Sequence, residues 1–204
     1  MKSILISIRP QWCEKIASGE KTIEVRKSAP KEVPFKAYIY CSKAKSQWRL
    51  SDYEGAYENS KGDVVYAQQH VIGEFVCDKV YKIESIFSFY ESYSGYNDSS
   101  DSSYFKGYSI DDERLKKTCL TRQDLYVYGK EKTLYGWNIS DLRIYDTPKE
   151  LSEFGRKCDY ASEIHCRDCL ILGDWDSCCS VMCKPIIRPP QSYMWAMEIE
   201  NEEN

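Results

Sequence analysis

Within its first 27 residues this chain changes hydrophobic period twice, and that change limits the folds open to it. Residues 3–8, Ser-Ile-Leu-Ile-Ser-Ile, form an apolar run of strand length. Pro10 follows, at the point where a helix tolerates a missing N–H. Trp12 and Ile16 then recur at helical spacing, and Gly19 supplies a C-terminal stop. From Lys21 the period becomes two: Ile23 and Val25 face a core, while Thr22, Glu24 and Arg26 share the opposite face. Lys21 itself sits at the turn, where alternation does not set its direction.

The rest of the chain continues in β-rich pieces. Pro30 and Pro34 interrupt it, 36–42 reads as a third strand, and 43–62 mixes Trp48, Tyr53 and Tyr57 into a polar stretch without a clear period. Residues 70–83 are β-rich, with Gly73 marking a bulge or a close backbone approach. Between 88 and 112 no aliphatic residue occurs before Ile110, which predicts a long polar surface loop. Thr121 is a candidate N-cap for a helix ending at Gly129. A strand is expected over 137–145, one or two helical turns over 148–154, and a closing strand over 193–199. About six strands and two or three short helices give an α+β class around a curved sheet or small barrel, as a single domain over 1–204. No Gly-rich phosphate loop is present, so no nucleotide cofactor is expected.

Charge narrows the function. A net charge of -4 leaves no global basic field, so any nucleic acid has to be met by a local patch. Ile4-Leu5-Ile6 is too short for a signal-peptide core, and nothing approaches a membrane-spanning run. A cytoplasmic location with no membrane partner is the expectation, with the 10 cysteines as reduced thiols or metal ligands.

Ser7-Ile8-Arg9-Pro10-Gln11-Trp12, then Gly19-Glu20-Lys21-Thr22-Ile23-Glu24-Val25-Arg26, resembles the signature of ASCH domains, a branch of the PUA-like superfamily. Val71-Ile72-Gly73-Glu74-Phe75 resembles a later strand of that family. Residues 134–154 and Arg188-Pro-Pro-Gln-Ser look like a phage and prophage subgroup. The resemblance implies a small PUA-like β-barrel with a cleft beside the Lys-Glu-Arg strand, suited to RNA or a modified nucleoside.

The residues allow that role and also a plainer one. Arg26 offers a rigid fork and Lys21 a mobile charge for phosphate or base edges, while Glu24 can hold Arg26 or accept from an exocyclic amine. Equally, Glu24 and Arg26, two apart on one strand face, can form a structural ion pair. One enzymatic branch of the superfamily hydrolyses acetylcytidine with Lys-x-x-Thr, and some ASCH proteins are associated with ribonuclease activity. Here Lys21 matches that motif, but Glu24 stands where the threonine nucleophile would be, so hydrolysis would need Glu24 to activate water instead. Lys21 and Glu24 are the catalytic candidates of that alternative. A third alternative is a phage interaction protein that binds a host protein. Ordinary hydrolase arrangements lack support, with only His70 and His165 and no Gly-x-Ser-x-Gly elbow. Cys13 reads as a packing residue.

Six cysteines crowd between Cys158 and Cys183, within an insertion spanning 156–187. Cys166-x-x-Cys169 has zinc-ligand spacing, and Cys178 with Cys183 would complete a closed tetrahedral set, with Cys158 and His165 as alternates. Free thiols, disulfides or partial metal binding are the competing readings. Zinc, if bound, would be structural, ordering a segment short of aliphatics.

Overall fold

The computed structural model describes residues 1–43, 56–92, 101–156 and 184–199, without the side chains of 88–92, 101–105 and 184. The chain opens with β1 (Ser3–Ile8), helix α1 (Pro10–Ala17) and β2 (Ile23–Arg26), as the period changes predict. Arg9 is the extended N-cap, Pro10 takes the first helical position, and Gly19 turns the chain at φ +78°. Next come β3 (Phe35–Cys41), the short pair β4 (Ala56–Glu58) and β5 (Val64–Tyr66), then β6 (Val71–Cys77) and β7 (Val80–Ile83). A hairpin of β8 (Ser85–Ser92) and β9 (Asp101–Tyr108) leads into α2 (Asp112–Thr118) and α3 (Arg122–Gly129). The remainder is β10 (Leu134–Asn138), β11 (Ser140–Lys149), a 3-10 turn at Leu151–Glu153, β12 (Phe154–Arg156), β13 (Lys184–Pro185), β14 (Tyr193–Trp195) and β15 (Met197–Glu198).

A five-stranded sheet ordered β11-β6-β3-β1-β14 organises the molecule. β1 and β3 run parallel, with α1 and β2 in the crossover between them, and the other pairs are antiparallel. Alternation sends Ile4, Ile6 and Ile8 of β1, Phe35 and Ile39 of β3, and Phe75 of β6 to one face. There they meet Cys13 and Ile16 of α1 and Trp137 of β10. The other face carries Leu5, Tyr38, Tyr40 and Tyr145 under Phe154, Ile186 and Ala196. Burial on both faces explains why β1 reads as a nearly continuous apolar run. Each such side chain contributes roughly 1.5–3 kcal/mol, so this sheet dominates the stability.

A second sheet, β2-β10-β7, stands against the first. Its Val25, Ile83 and Leu134 pack on Leu125 of α3 and Tyr108 of β9. Gly73 is where it was expected to matter: pairing shifts from Ile39↔Gly73 to Tyr40↔Val71, a bulge at Ile72. A Cβ on Gly73 would stand 2.4 Å from the Arg143 carbonyl oxygen.

The small barrel of about six strands is replaced by fifteen short strands and three α-helices among the described residues, in several sheets with no closed barrel among them. The undercount arises because breaks at Asp78–Lys79, Ile139 and Ala196 divide runs that looked continuous, and because β4, β5, β8, β9, β12 and β13 fall where no strand was expected. The long loop over 88–112 is also corrected. Its described part forms most of the β8–β9 hairpin, a short link and the first residue of α2, and the sequence of both strands is rich in the strand-favouring Phe and Tyr. The turns expected over 148–154 reduce to the 3-10 turn, with Pro148 still in β11. The cysteine cluster and Trp48 lie outside the described residues.

Candidate functional site

The turn after α1 places the three charged residues. The Lys21 amide donates to the Lys15 carbonyl at 2.8 Å, and the Thr22 amide donates to Lys117 O at 3.0 Å, tying the entry of β2 to the end of α2. β2 pairs with β10 so that Glu24 lies opposite Trp137 and Arg26 opposite Tyr135. Direct cross-strand partners share a face, so the charged side chains stand beside two aromatics that pack toward the main core.

Lys21, Glu24 and Arg26 come together as a linked triad. Lys21 Nζ lies 3.3 Å from Glu24 Oε2, and Arg26 Nε lies 2.9 Å from Glu24 Oε1, the latter without hydrogen-bond alignment. Arg26 Nη2 donates to the Ser7 carbonyl at 2.6 Å. Lys21 Nζ donates to Thr118 O at 2.6 Å and to Ile23 O at 3.0 Å, and sits 5.3 Å above the Trp12 ring. An ammonium has three donors; two go to carbonyls, and Glu24 stands beside it as an ion-pair partner.

Burial corrects the expectation of a solvent-accessible recess walled by these side chains. Lys21 is 1 % exposed, Glu24 6 % and Arg26 8 %. Two concavities among the described residues, of about 210 and 730 Å³, are lined elsewhere. The smaller lies between the β8–β9 hairpin and α3. The larger opens on the far face of the main sheet, near Lys36, Tyr38 and Glu198. Close to it, Lys36 pairs with Glu74, Tyr145 donates to Glu74 at 3.1 Å, and Lys149 pairs with Glu198.

The neighbours of the triad were not apparent in the sequence. Thr118 is fully buried, its Oγ1 donating to Leu115 O at 2.6 Å, which leaves its carbonyl to Lys21. Tyr128 of α3 approaches from the other side, with Lys27 Nζ 4.9 Å from its ring centre. Burial pushes the Tyr128 phenol up, opposed by the positive charge of Arg26. Cys13 is a core residue as expected, its thiol raised well above the usual range by burial and by the neighbouring Cys41. The ring of His70 is held by Gln68 O at 2.9 Å and Glu150 Oε1 at 3.1 Å, as a satisfied histidine. Cys158, His165, Cys166, Cys169, Cys178 and Cys183 lie outside the described residues. No helix among those residues is long and apolar enough to cross a membrane.

The family model of the ASCH domain matches residues 6–173, well over half of the chain. The chain belongs to the ASCH domain family. Among solved structures it is similar to the ASCH protein of Zymomonas mobilis, with a TM-score of 0.45 and 17% identity over 95% of this chain and 87% of that one. A tyrosine-to-phenylalanine mutant of the same protein gives a TM-score of 0.46 and 16% identity over 96% and 90%. No curated relative matches the chain. ASCH membership accounts for the Gly19-to-Arg26 signature and for the strand around Gly73, both of which lie within the matched span.

Proposed function

We propose that this ASCH domain is a binding module for RNA or a modified nucleoside, with Lys21, Glu24 and Arg26 as the polar centre of its recognition site. One observation carries the reading: two buried cations share a single buried carboxylate. That leaves one positive charge uncompensated in a chain of net charge -4. Uncompensated buried charge is costly, and an anionic or acceptor-rich ligand relieves the cost. Arg26 is the member suited to meet it. Its guanidinium has five donors in a fixed fork, more than its contacts with Ser7 and Glu24 use. Lys21 and Glu24 then act as the support that holds Arg26.

Binding is favoured over hydrolysis by what already engages Lys21. A lysine assisting a nucleophile has to reach substrate, whereas Lys21 is held by Thr118, Ile23 and Glu24. The phage-type subgroup belongs to the same reading. So does a structural zinc on Cys166, Cys169, Cys178 and Cys183, for which metal analysis of protein purified without added zinc is the test.

The functional test is titration of the full-length protein with labelled single-stranded RNA, cytidine and acetylated cytidine, with product analysis in parallel. Arg26→Lys keeps the charge and removes the fork. Binding without turnover, weakened in Arg26→Lys, supports the module. Turnover lost in Glu24→Gln would replace it with the hydrolase. Failure to bind any of these, with capture of a host protein from nuclease-treated lysate, would replace it with the interaction protein.

A further inference from the structure

Tyr128 stands on the last turn of α3, 38 % exposed, although its neighbour three residues back, Leu125, is fully buried. The buried contact of Leu125 with Val25 and Leu134 fixes α3 against the second sheet and so fixes where the Tyr128 ring projects. It projects over the end of β2. Lys27, the first residue beyond that strand, is exposed and places its ammonium 4.9 Å from the ring centre.

The surroundings of the ring are cationic. Arg26 and Arg9 both act electrostatically on the Tyr128 hydroxyl, as does Glu24. Arg9 is exposed and caps α1 two residues after Ser7, whose carbonyl receives Arg26. Arg9, Arg26 and Lys27 therefore oppose one carboxylate around a single exposed aromatic face. This is the local basic patch that an acidic chain needs to engage a polyanion.

Resting on the binding reading above, we infer that Tyr128 is a stacking platform for one unpaired base, with Arg9 and Lys27 taking the flanking phosphates of a single-stranded nucleic acid. The chemistry selects a single strand, since a base can lie on an exposed ring only after leaving its own stack. The Lys27 ammonium lies over the ring, and swinging it onto the strand's backbone frees that face for the base. Placing the base on Tyr128 also brings its polar edge toward Arg26, the one triad member with donors to spare.

The test is fluorescence anisotropy with labelled single-stranded RNA, single-stranded DNA of the same sequence and the matching duplex, each of about 12 nucleotides, within the site sizes of single-strand binders. The full-length protein should prefer either single strand to the duplex, and comparing RNA with DNA identifies the source of the strand. Tyr128→Ala should weaken single-strand binding by about 5- to 150-fold, the loss of one stacked base. Tyr128→Phe, which keeps the ring, should bind within about twofold of the parent. Arg9→Ala with Lys27→Ala should lower the salt dependence by about 0.7 for each phosphate contact removed. Single-strand binding unchanged in Tyr128→Ala, or a duplex bound as well as the strand, overturns the platform and leaves the binding module standing. If the parent protein binds no strand at all, the platform fails, and the module then stands or falls on the cytidine and acetylated cytidine titrations.

Discussion

Lys21 and Thr118 are joined across 97 positions of sequence by a 2.6 Å hydrogen bond from the ammonium to the carbonyl oxygen that ends α2. The carbonyl end of a helix carries partial negative charge, so a buried ammonium there is well placed electrostatically. The same ammonium contacts Glu24, so one side chain couples the helical layer to the charged strand.

Substituting Lys21 therefore does more than remove a charge. Lys21→Met leaves Glu24 with one buried partner and uncaps α2. Breaking a buried pair costs about 3–5 kcal/mol. At roughly 2–4 °C per kcal/mol for a chain of this size, the melting temperature should fall by about 6–20 °C. Urea unfolding measures the loss directly. A fall of under about 1 kcal/mol would show that the triad is solvated in solution and that the open recess read from the sequence was correct.

Glu24 sits between two cations, so its neutralisation should be as damaging as loss of either partner. Glu24→Gln leaves Lys21 and Arg26 as uncompensated buried cations, and should destabilise by roughly 3–5 kcal/mol. Lys21→Met combined with Glu24→Gln should cost clearly less than the two single changes summed, because the double variant buries one fewer unpaired charge. Additive losses in urea unfolding would mean that the two residues do not act as a unit.

How much of this was legible depends on the residues concerned. The β1–α1–β2 passage was readable because Pro10 and Gly19 bracket the helix and the period changes cleanly on either side. The β8–β9 hairpin was not, since its two strands hold a single aliphatic residue, Ile86, and show no clean period of two. Helix α2 has a single aliphatic residue, Leu115, and is specified by the Asp111 cap and the Glu113–Lys117 pair, signals too weak to stand out beside a biased stretch. Lys21, Glu24 and Arg26 could be named because the Gly19-to-Arg26 stretch resembles the ASCH signature. Their burial could not, because charged strand faces are usually solvated and the partner that closes this one is a backbone oxygen far along the chain.

The capping box of α3 gives a pH-dependent contribution. Thr121 Oγ1 accepts from the Asp124 amide at 3.0 Å, and Asp124 accepts from the Thr121 amide at 2.8 Å. The Thr121 hydroxyl, then its amide, holds the Asp124 carboxyl below the usual aspartate range. A carboxyl lowered in the folded state stabilises fully above its ordinary value, near 3.9, and loses that contribution as pH falls through the lowered one. Thr121→Ala should cost about 1 kcal/mol at pH 7. The difference between Thr121→Ala and the parent, followed by urea unfolding, should narrow in acid below about pH 4. A difference that widens there would contradict the assignment.

Thiol reactivity should separate the described cysteines. Burial pushes the Cys77 thiol up to about 12 and Cys13 well above its usual range, while Cys119 is only half-buried. Alkylation requires thiolate and access. Brief treatment of the native protein with iodoacetamide near pH 8, read by peptide mass spectrometry, should label Cys119 and spare Cys13 and Cys77. All three should react after unfolding. Early labelling of Cys13 would place it at an accessible surface and remove α1 from the core.

Gly129 sets helix propensity against packing. Alanine is favoured over glycine within a helix by about 1 kcal/mol. A Cβ on Gly129, however, would lie 1.9 Å from the Tyr108 hydroxyl oxygen and 2.5 Å from its Cζ. Tyr108 is 4 % exposed, and its hydroxyl donates to Lys132 O at 2.8 Å, so the ring has little room to withdraw. Overpacking costs about 1–3 kcal/mol and the strained hydrogen bond about 1 more, so packing outweighs propensity and Gly129→Ala should destabilise. In a Tyr108→Phe background the most severe overlap disappears with the hydroxyl, and the same Gly129→Ala change should cost measurably less. That non-additivity, taken from urea midpoints of the four proteins, ties the end of α3 to β9. Equal costs in both backgrounds would mean that Gly129 does not approach Tyr108.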